Sequence, residues 1–216
     1  MTSAALSDRL KLIVITDPEL AYPRTVVEVA RDALRAGARA IQLRDRSGAC
    51  AELFTTARAL LEHTHEVGAL LFINDRVDVA LAVGADGVHV GPDDIPVGAI
   101  RASVPSDFLI GTSTDDPSHA HMLASAGADY IGCGTVYETS SKPDAGCVIG
   151  PHGLERVATS VEIPVIGIGG ISVERSAEVA STSAAGIAVM GAVMSAEDVG
   201  ATVSRLLAPW VRTENR

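Results

Sequence analysis

Aromatic side chains are scarce, with three Phe, three Tyr and one Trp making up 3% of 216 residues. A surface that reads nucleic-acid bases by stacking needs planar side chains, so that function class is disfavoured. The formal net charge of −10 argues the same way, because it repels a polyphosphate backbone at long range. No nucleic-acid partner is expected. An anionic small molecule stays compatible with the composition if a few cationic groups converge at one mouth. Long hydrophobic runs are also missing: nothing approaches the run of about 18 apolar residues that a membrane span requires. No membrane partner is expected, and residues 1–11 lack the apolar stretch of a signal peptide. The three cysteines, Cys50, Cys133 and Cys147, show neither CxxC spacing nor a repeat. Reduced thiols in a cytoplasmic protein are expected, not a disulfide framework or a zinc site.

What remains is a chain that is 47% apolar, its core drawn mainly from Ala, Val, Ile and Leu. Small and branched side chains suit a parallel sheet covered by helices. Short apolar runs of strand length occur near Leu12–Thr16, Ala40–Arg44, Leu70–Asn74, Gly87–Gly91, Leu109–Ser113, Tyr130–Gly134, Pro164–Ile168 and Gly186–Met190. Segments with helical period lie between them, among them Val26–Ala36, Ala51–Glu66, Val77–Val83, His119–Ala126, Ser172–Ala180 and Ala196–Leu207. Eight such alternations predict an α/β fold consisting of a single (β/α)8 TIM barrel, one domain over residues 1–216. Ala36-Gly37-Ala38, Val83-Gly84-Ala85 and Ala126-Gly127-Ala128 each precede a strand, with Ala184-Ala185-Gly186 as a degraded fourth copy. These read as turns in which Gly ends a helix in the left-handed conformation. They speak of architecture and not of chemistry.

In a parallel barrel, chemistry sits beyond the carboxyl ends of the strands, and polar residues collect there. Gln42, Arg44 and Arg46 follow the second strand, and alternation turns them to one side with Leu43 on the other. Two guanidiniums on an inward face call for an anion or for a partner such as Asp45. Asn74 and Asp75 follow the third strand, and Gly91-Pro92-Asp93-Asp94 the fourth. Hard oxygen ligands on adjacent loops suit a Mg2+ ion that also holds a phosphate. Taken singly, Asp75 and Asp94 also fit helix caps. Hydroxyls follow the fifth strand around Ser113. The loop after the sixth strand runs Thr139-Ser140-Ser141-Lys142. Lys142 and Lys11 are the lysines among 17 Lys and Arg residues, and an ammonium in a hydroxyl-rich loop suits a phosphate as well as a plain surface position. Gly169-Gly170 after the seventh strand, and Met190-Gly191 at the end of the eighth, occupy the usual phosphate-binding position of barrels. His89 faces the barrel interior by alternation and reads as a satisfied structural histidine. The pairs His63/His65 and His119/His121 do not share a helix face. No Ser–His–Asp or Cys–His arrangement is evident.

The motifs QLRDR (42–46), NDRVDVALAVGADGVHVG (74–91), the Asp pair 93–94, GADYIGCGTVYETSSKPDAG (127–146) and IGIGGI (166–171) together resemble the thiamine-phosphate synthase family over nearly the whole chain. The resemblance implies a barrel that joins hydroxymethylpyrimidine diphosphate to hydroxyethylthiazole phosphate and releases pyrophosphate. It implies that Gln42, Arg44, Arg46, Asn74, Ser113 and Lys142 contact the pyrimidine diphosphate, with Arg44, Lys142 and Ser113 in the catalytic role. It also implies that Asp75 and Asp94 hold Mg2+, and that Thr139, Ser140, Ser141, Gly170, Met190 and Gly191 hold the thiazole phosphate. Self-association is a further expectation from the family.

The sequence departs from the family pattern in several places. Arg46 stands where Lys is usual, Pro92 where Gln is common, Ser141 for Thr, Asp115 for a frequent His and Gly191 for a frequent Ser. The related thiazole tautomerases are an alternative, as is a non-catalytic barrel that binds thiamine precursors. The position of Asp115 and the retained acidic pair favour the synthase.

Overall fold

A computed structural model describes residues 2–45, 49–139 and 147–210. Arg46, Ser140, Ser141 and Lys142 therefore lie outside the described residues.

The eight parallel strands close on themselves in sequence order. They are β1 (Leu12–Ile15), β2 (Ala40–Leu43), β3 (Leu70–Asn74), β4 (Gly87–Val90), β5 (Leu109–Ser113), β6 (Tyr130–Cys133), β7 (Val165–Ile168) and β8 (Gly186–Val189). Helix α1 (Ser3–Arg9) precedes β1, and α2 (Pro18–Ala21) and α3 (Val26–Arg35) follow it. Helices α4 (Cys50–Val67), α5 (Val77–Val83), α6 (Val97–Arg101), α7 (Pro117–Ser125), α8 (Gly150–Ala158) and α9 (Val173–Ala180) each separate the next pair of strands. After β8 come α10 (Gly191–Met194) and α11 (Val199–Leu207). The expected strands all form, several ending one residue earlier than the apolar pattern. Helices α1, α2, α6, α8 and α10 are not among the segments named from the sequence; α2, α6 and α10 have only four or five residues, too few to establish a helical period.

Alternation along each strand divides the core in two. Outward residues such as Ile41, Leu43, Val88, Ile110 and Ile131 pack under the helices in one continuous cluster. Inward residues Ile13, Ala40, Leu70, Phe72, Leu109, Tyr130 and Ile166 form a second cluster inside the barrel. Leu6 and Leu10 from α1 and its end join the inner cluster, so α1 plugs the amino-terminal mouth. Its start is fixed by Thr2, whose side chain accepts from Ala5 N–H. Phe72 and Tyr130 meet edge to face at 5.2 Å inside the barrel, an arrangement their ring quadrupoles favour. With the lower end filled by apolar side chains, polar groups are left to the carboxyl rim.

Gly37, Gly84 and Gly127 adopt φ of 110°, 76° and 104°, as the turn reading requires. Gly186 corrects that reading, because it lies within β8. There a Cβ would overlap the Leu10 carbonyl, so close packing over the α1 plug explains this glycine.

Candidate active site at the carboxyl rim

Gln42 on β2 is buried and points inward, where its Nε2 donates to Asn74 Oδ1 at the end of β3 at 3.0 Å. This bond occupies the Asn74 carbonyl and turns its amide N–H groups into donors for whatever enters the mouth. Arg44, half-buried, follows at the same edge. Thr16, buried at the end of β1, clasps its backbone: the Thr16 hydroxyl donates to the Arg44 carbonyl at 3.0 Å and accepts from Arg44 N–H at 2.9 Å. Thr16 is a positioning residue that the sequence reading missed. Its signal is a hydroxyl closing the apolar run of β1.

Asp75 is exposed and has φ 61°, an uncommon conformation for a residue other than glycine. It is held there because its N–H donates to the His89 carbonyl on β4 at 2.8 Å while Arg76 N–H turns back to Asn74 O at 2.7 Å. Backbone strain of this kind concentrates at functional sites. The helix-cap reading of both acids is corrected by the structure. Arg76 is the residue at the N-cap of α5 and Pro96 that of α6, and neither helix has a side-chain cap. Asp94 instead accepts from Gly91 N–H through Oδ2 at 2.7 Å, which folds the β4 loop back on itself and leaves Oδ1 for another partner.

These two acids end adjacent strands, and the main-chain bond from Asp75 to His89 ties their loops together. Among the described residues no group of three or more His, Cys, Asp or Glu side chains is placed to cage a metal ion. Mg2+ fits such a sparse pair, since it usually takes one or two carboxylates and completes its shell with water and substrate phosphate.

Ser113 ends β5, half-buried, with its Oγ 2.8 Å from His89 Nε2; His89 Nδ1 is 3.0 Å from the Tyr130 hydroxyl. The reading of His89 as satisfied and inward-facing agrees with this geometry, but the residue touches the candidate site, which alternation alone could not reveal. Cys133 on β6 is no nucleophile. Burial, and secondarily Asp115, push its thiol up to about 12, so at neutral pH it is protonated and inert.

The loops after β6 and β7 are built against each other. Val136 and Tyr137 N–H groups donate to Ile168 and Gly169 carbonyls at 2.9 and 3.0 Å. Gly170 has φ 61°, and a Cβ there would overlap Glu138 O and lie 2.7 Å from Tyr137 O. Only glycine suits that position. Arg175 locks the turn from outside, donating to the Gly170 carbonyl at 2.8 Å with its guanidinium 4.6 Å over the Tyr137 ring. Tyr137 in turn donates to Glu178 at 2.7 Å. Thr139 follows in the same loop, half-buried. Beyond β8, the Met190 carbonyl accepts from Val193 and Met194 N–H, and Gly191 opens the short helix α10.

The described candidate residues thus share one rim: Gln42, Arg44, Asn74, Asp75, Asp94 and Ser113 at the ends of β2 to β5, and Thr139, Gly170, Met190 and Gly191 beyond β6 to β8. Fold and rim together define the class, a (β/α)8 barrel with polar groups gathered at the carboxyl end of its strands, the end at which barrel enzymes carry their chemistry. The profile of the family described as thiamine monophosphate synthase matches residues 12–193. A thiamine-phosphate synthase of Pyrococcus furiosus is 45% identical over 194 residues, covering 90% of this chain and 91% of that protein. A longer bifunctional thiamine biosynthesis protein of Symbiobacterium thermophilum is 45% identical over 202 residues, which are 94% of this chain and 41% of that protein. The solved structure of a thiamine phosphate pyrophosphorylase from Pyrococcus furiosus superimposes with a TM-score of 0.85 at 43% identity, covering 93% of this chain and 95% of that one. The chain belongs to the thiamine-phosphate synthase family of transferases.

Proposed function

We propose that this barrel joins hydroxymethylpyrimidine diphosphate to hydroxyethylthiazole phosphate, giving thiamine phosphate and pyrophosphate. The observation that carries the reading is the shared rim. Two acids and several polar donors at or beyond the ends of β2 to β5 lie on the same rim as the glycine-built loops after β7 and β8, in a chain matched to the family across residues 12–193.

In the proposed reaction the exocyclic C–O bond of the pyrimidine breaks first, and its electron pair leaves with the diphosphate oxygen. The aminopyrimidine delocalises the positive charge on carbon, and the lone pair of the thiazole nitrogen then forms the new C–N bond. No covalent bond to the protein is needed, which agrees with the inert Cys133. Arg44, together with Arg46 and Lys142 outside the described residues, opposes the negative charge that grows on the leaving group, an effect strengthened in a preorganised site. Ser113 donates a hydrogen bond to the same group, and Gln42 and Asn74 orient the pyrimidine diphosphate. Asp75 and Asp94 would hold Mg2+, which supplies charge neutralisation to a diphosphate when bound. Thr139, Gly170, Met190 and Gly191, with Ser140 and Ser141, receive the thiazole phosphate, in part through backbone N–H groups. Holding the two reactants in contact supplies much of the remaining acceleration.

Among the described residues no helix is long and apolar enough to cross a membrane. The proposed setting is cytoplasmic, with self-association between copies. The test is pyrophosphate release by the purified protein with defined substrates. Release is expected only when both substrates and Mg2+ are present. No release under those conditions refutes the reading, and isomerisation of the thiazole alone would put the tautomerase in its place.

A further inference from the structure

Tyr130 lies at the start of β6, with its ring wholly inside the barrel and 1% exposed. Glycines clear space for it and for His89. A Cβ on Gly111 of β5 would overlap the phenol ring, and one on Gly132 would come within 3.1 Å of His89 Cε1. Three side chains on β6, β4 and β5 then form one hydrogen-bonded line: Tyr130 Oη to His89 Nδ1 at 3.0 Å, and His89 Nε2 to Ser113 Oγ at 2.8 Å. The line runs from the apolar interior to the rim.

For a neutral imidazole at His89, its direction follows from counting protons. Burial, with Asp129 adding, raises the phenol far above its ordinary range, so the hydroxyl carries its proton. If Ser113 donated to Nε2, then Nδ1–H would donate to Tyr130 Oη. The buried phenol proton would be left without an acceptor among the described residues, an unfavourable state. In the opposite direction no buried group is orphaned. Tyr130 O–H donates to Nδ1, Nε2–H donates to Ser113 Oγ, and the Ser113 proton is pushed outward.

We infer that Tyr130 is a positioning residue that fixes the Nε2–H tautomer of His89 and thereby makes Ser113 an obligatory hydrogen-bond donor to a substrate oxygen. Ser113 then favours an anionic oxygen, to which its hydrogen bond is stronger than to a neutral hydroxyl. The inference deepens the proposed function and rests on it for the identity of that oxygen, which belongs to the diphosphate leaving group.

The first measurement needs no variant and no substrate. In protein carrying 15N-histidine, the His89 signals should show a protonated Nε2 and an unprotonated Nδ1 near neutral pH; the opposite tautomer overturns the inference. Tyr130→Phe, which removes one oxygen and keeps the packed ring, should give a mixed tautomer population, with the fold retained and the melting temperature lowered by only a few degrees. Pyrophosphate release then tests coupling through a double-mutant cycle. Tyr130→Phe is expected to lower kcat about tenfold with little change in KM, and Ser113→Ala about 100-fold, the scale of losing one preorganised donor. The double variant should be no slower than Ser113→Ala alone. Fully additive losses would show that Tyr130 does not act through Ser113. Absence of pyrophosphate release from the parent protein would instead refute the proposed reaction, while the tautomer measurement would still decide the proton direction.

Discussion

The two sides of the carboxyl rim are made of different materials. From β2 to β5 the rim presents side chains: Gln42 bonded to Asn74, then Asp75, Asp94 and Ser113. Across β7 and β8 it presents backbone, in Gly169, Gly170, Met190 and Gly191. Side chains deliver formal charge and can gather a cation, which a diphosphate that must leave demands. Main-chain N–H groups deliver fixed dipoles at close range, enough for a phosphate ester that is only held. A change on the first side should therefore remove chemistry and spare shape. A change on the second should deform a binding surface and spare chemistry.

The largest effect is expected from Asp75→Asn and Asp94→Asn. Asn tolerates the left-handed backbone at position 75, and at position 94 it keeps an oxygen for Gly91 N–H. Both folds should persist by circular dichroism while kcat for pyrophosphate release falls about 100-fold or more. Titrating Mg2+ should show a weakened requirement curve for each. Parent rates in either variant would remove that acid from the mechanism and erase the electrostatic half of the contrast.

Gly170→Ala tests the other half. The new Cβ enters a φ of 61° and lies 2.7 Å from the Tyr137 carbonyl. A left-handed non-glycine residue costs about 1–2 kcal/mol before any overlap, so KM for the thiazole phosphate should rise about tenfold. The KM for the pyrimidine diphosphate should stay near its parent value. Equal rises in both would show that the two sides deform as one.

The same division explains what the sequence disclosed. Strands were legible because each apolar run is bounded by polar or turn residues, and the closure into a barrel followed from their number. Side-chain donors and acids could be found because Gln42, Asn74, Asp75, Asp94 and Ser113 interrupt or end those runs. Partnerships across strands could not be found. Thr16 clasping Arg44, and Tyr130 reaching Ser113 through His89, join positions far apart in the chain, and only register brings them together. Helix-capping logic assigned Asp75 and Asp94 a role at the helix that follows, which the structure replaces: Asp75 is tied through its N–H to His89 on β4, and Asp94 folds back on Gly91 of its own loop. Gly186 looked like a turn glycine because its neighbours matched the repeat, whereas contact with the α1 plug decides it.

The smallest effect should come from outside the mouth, at Arg175. Its guanidinium lies 4.6 Å over the Tyr137 ring and donates to the Gly170 carbonyl, so it acts on the proposed phosphate loop without belonging to it. Exposed cation–π contacts are weak, so Arg175→Ala should raise KM for the thiazole phosphate only about fivefold. Arg175→Lys should fall between that variant and the parent, because an ammonium keeps the charge but loses the planar stack. The kcat at saturation should not move, since the Gly170 turn can still form once ligand holds it. A matching loss in kcat would place Arg175 among the groups that act on the leaving diphosphate. The backbone side of the rim would then carry chemistry as well as binding.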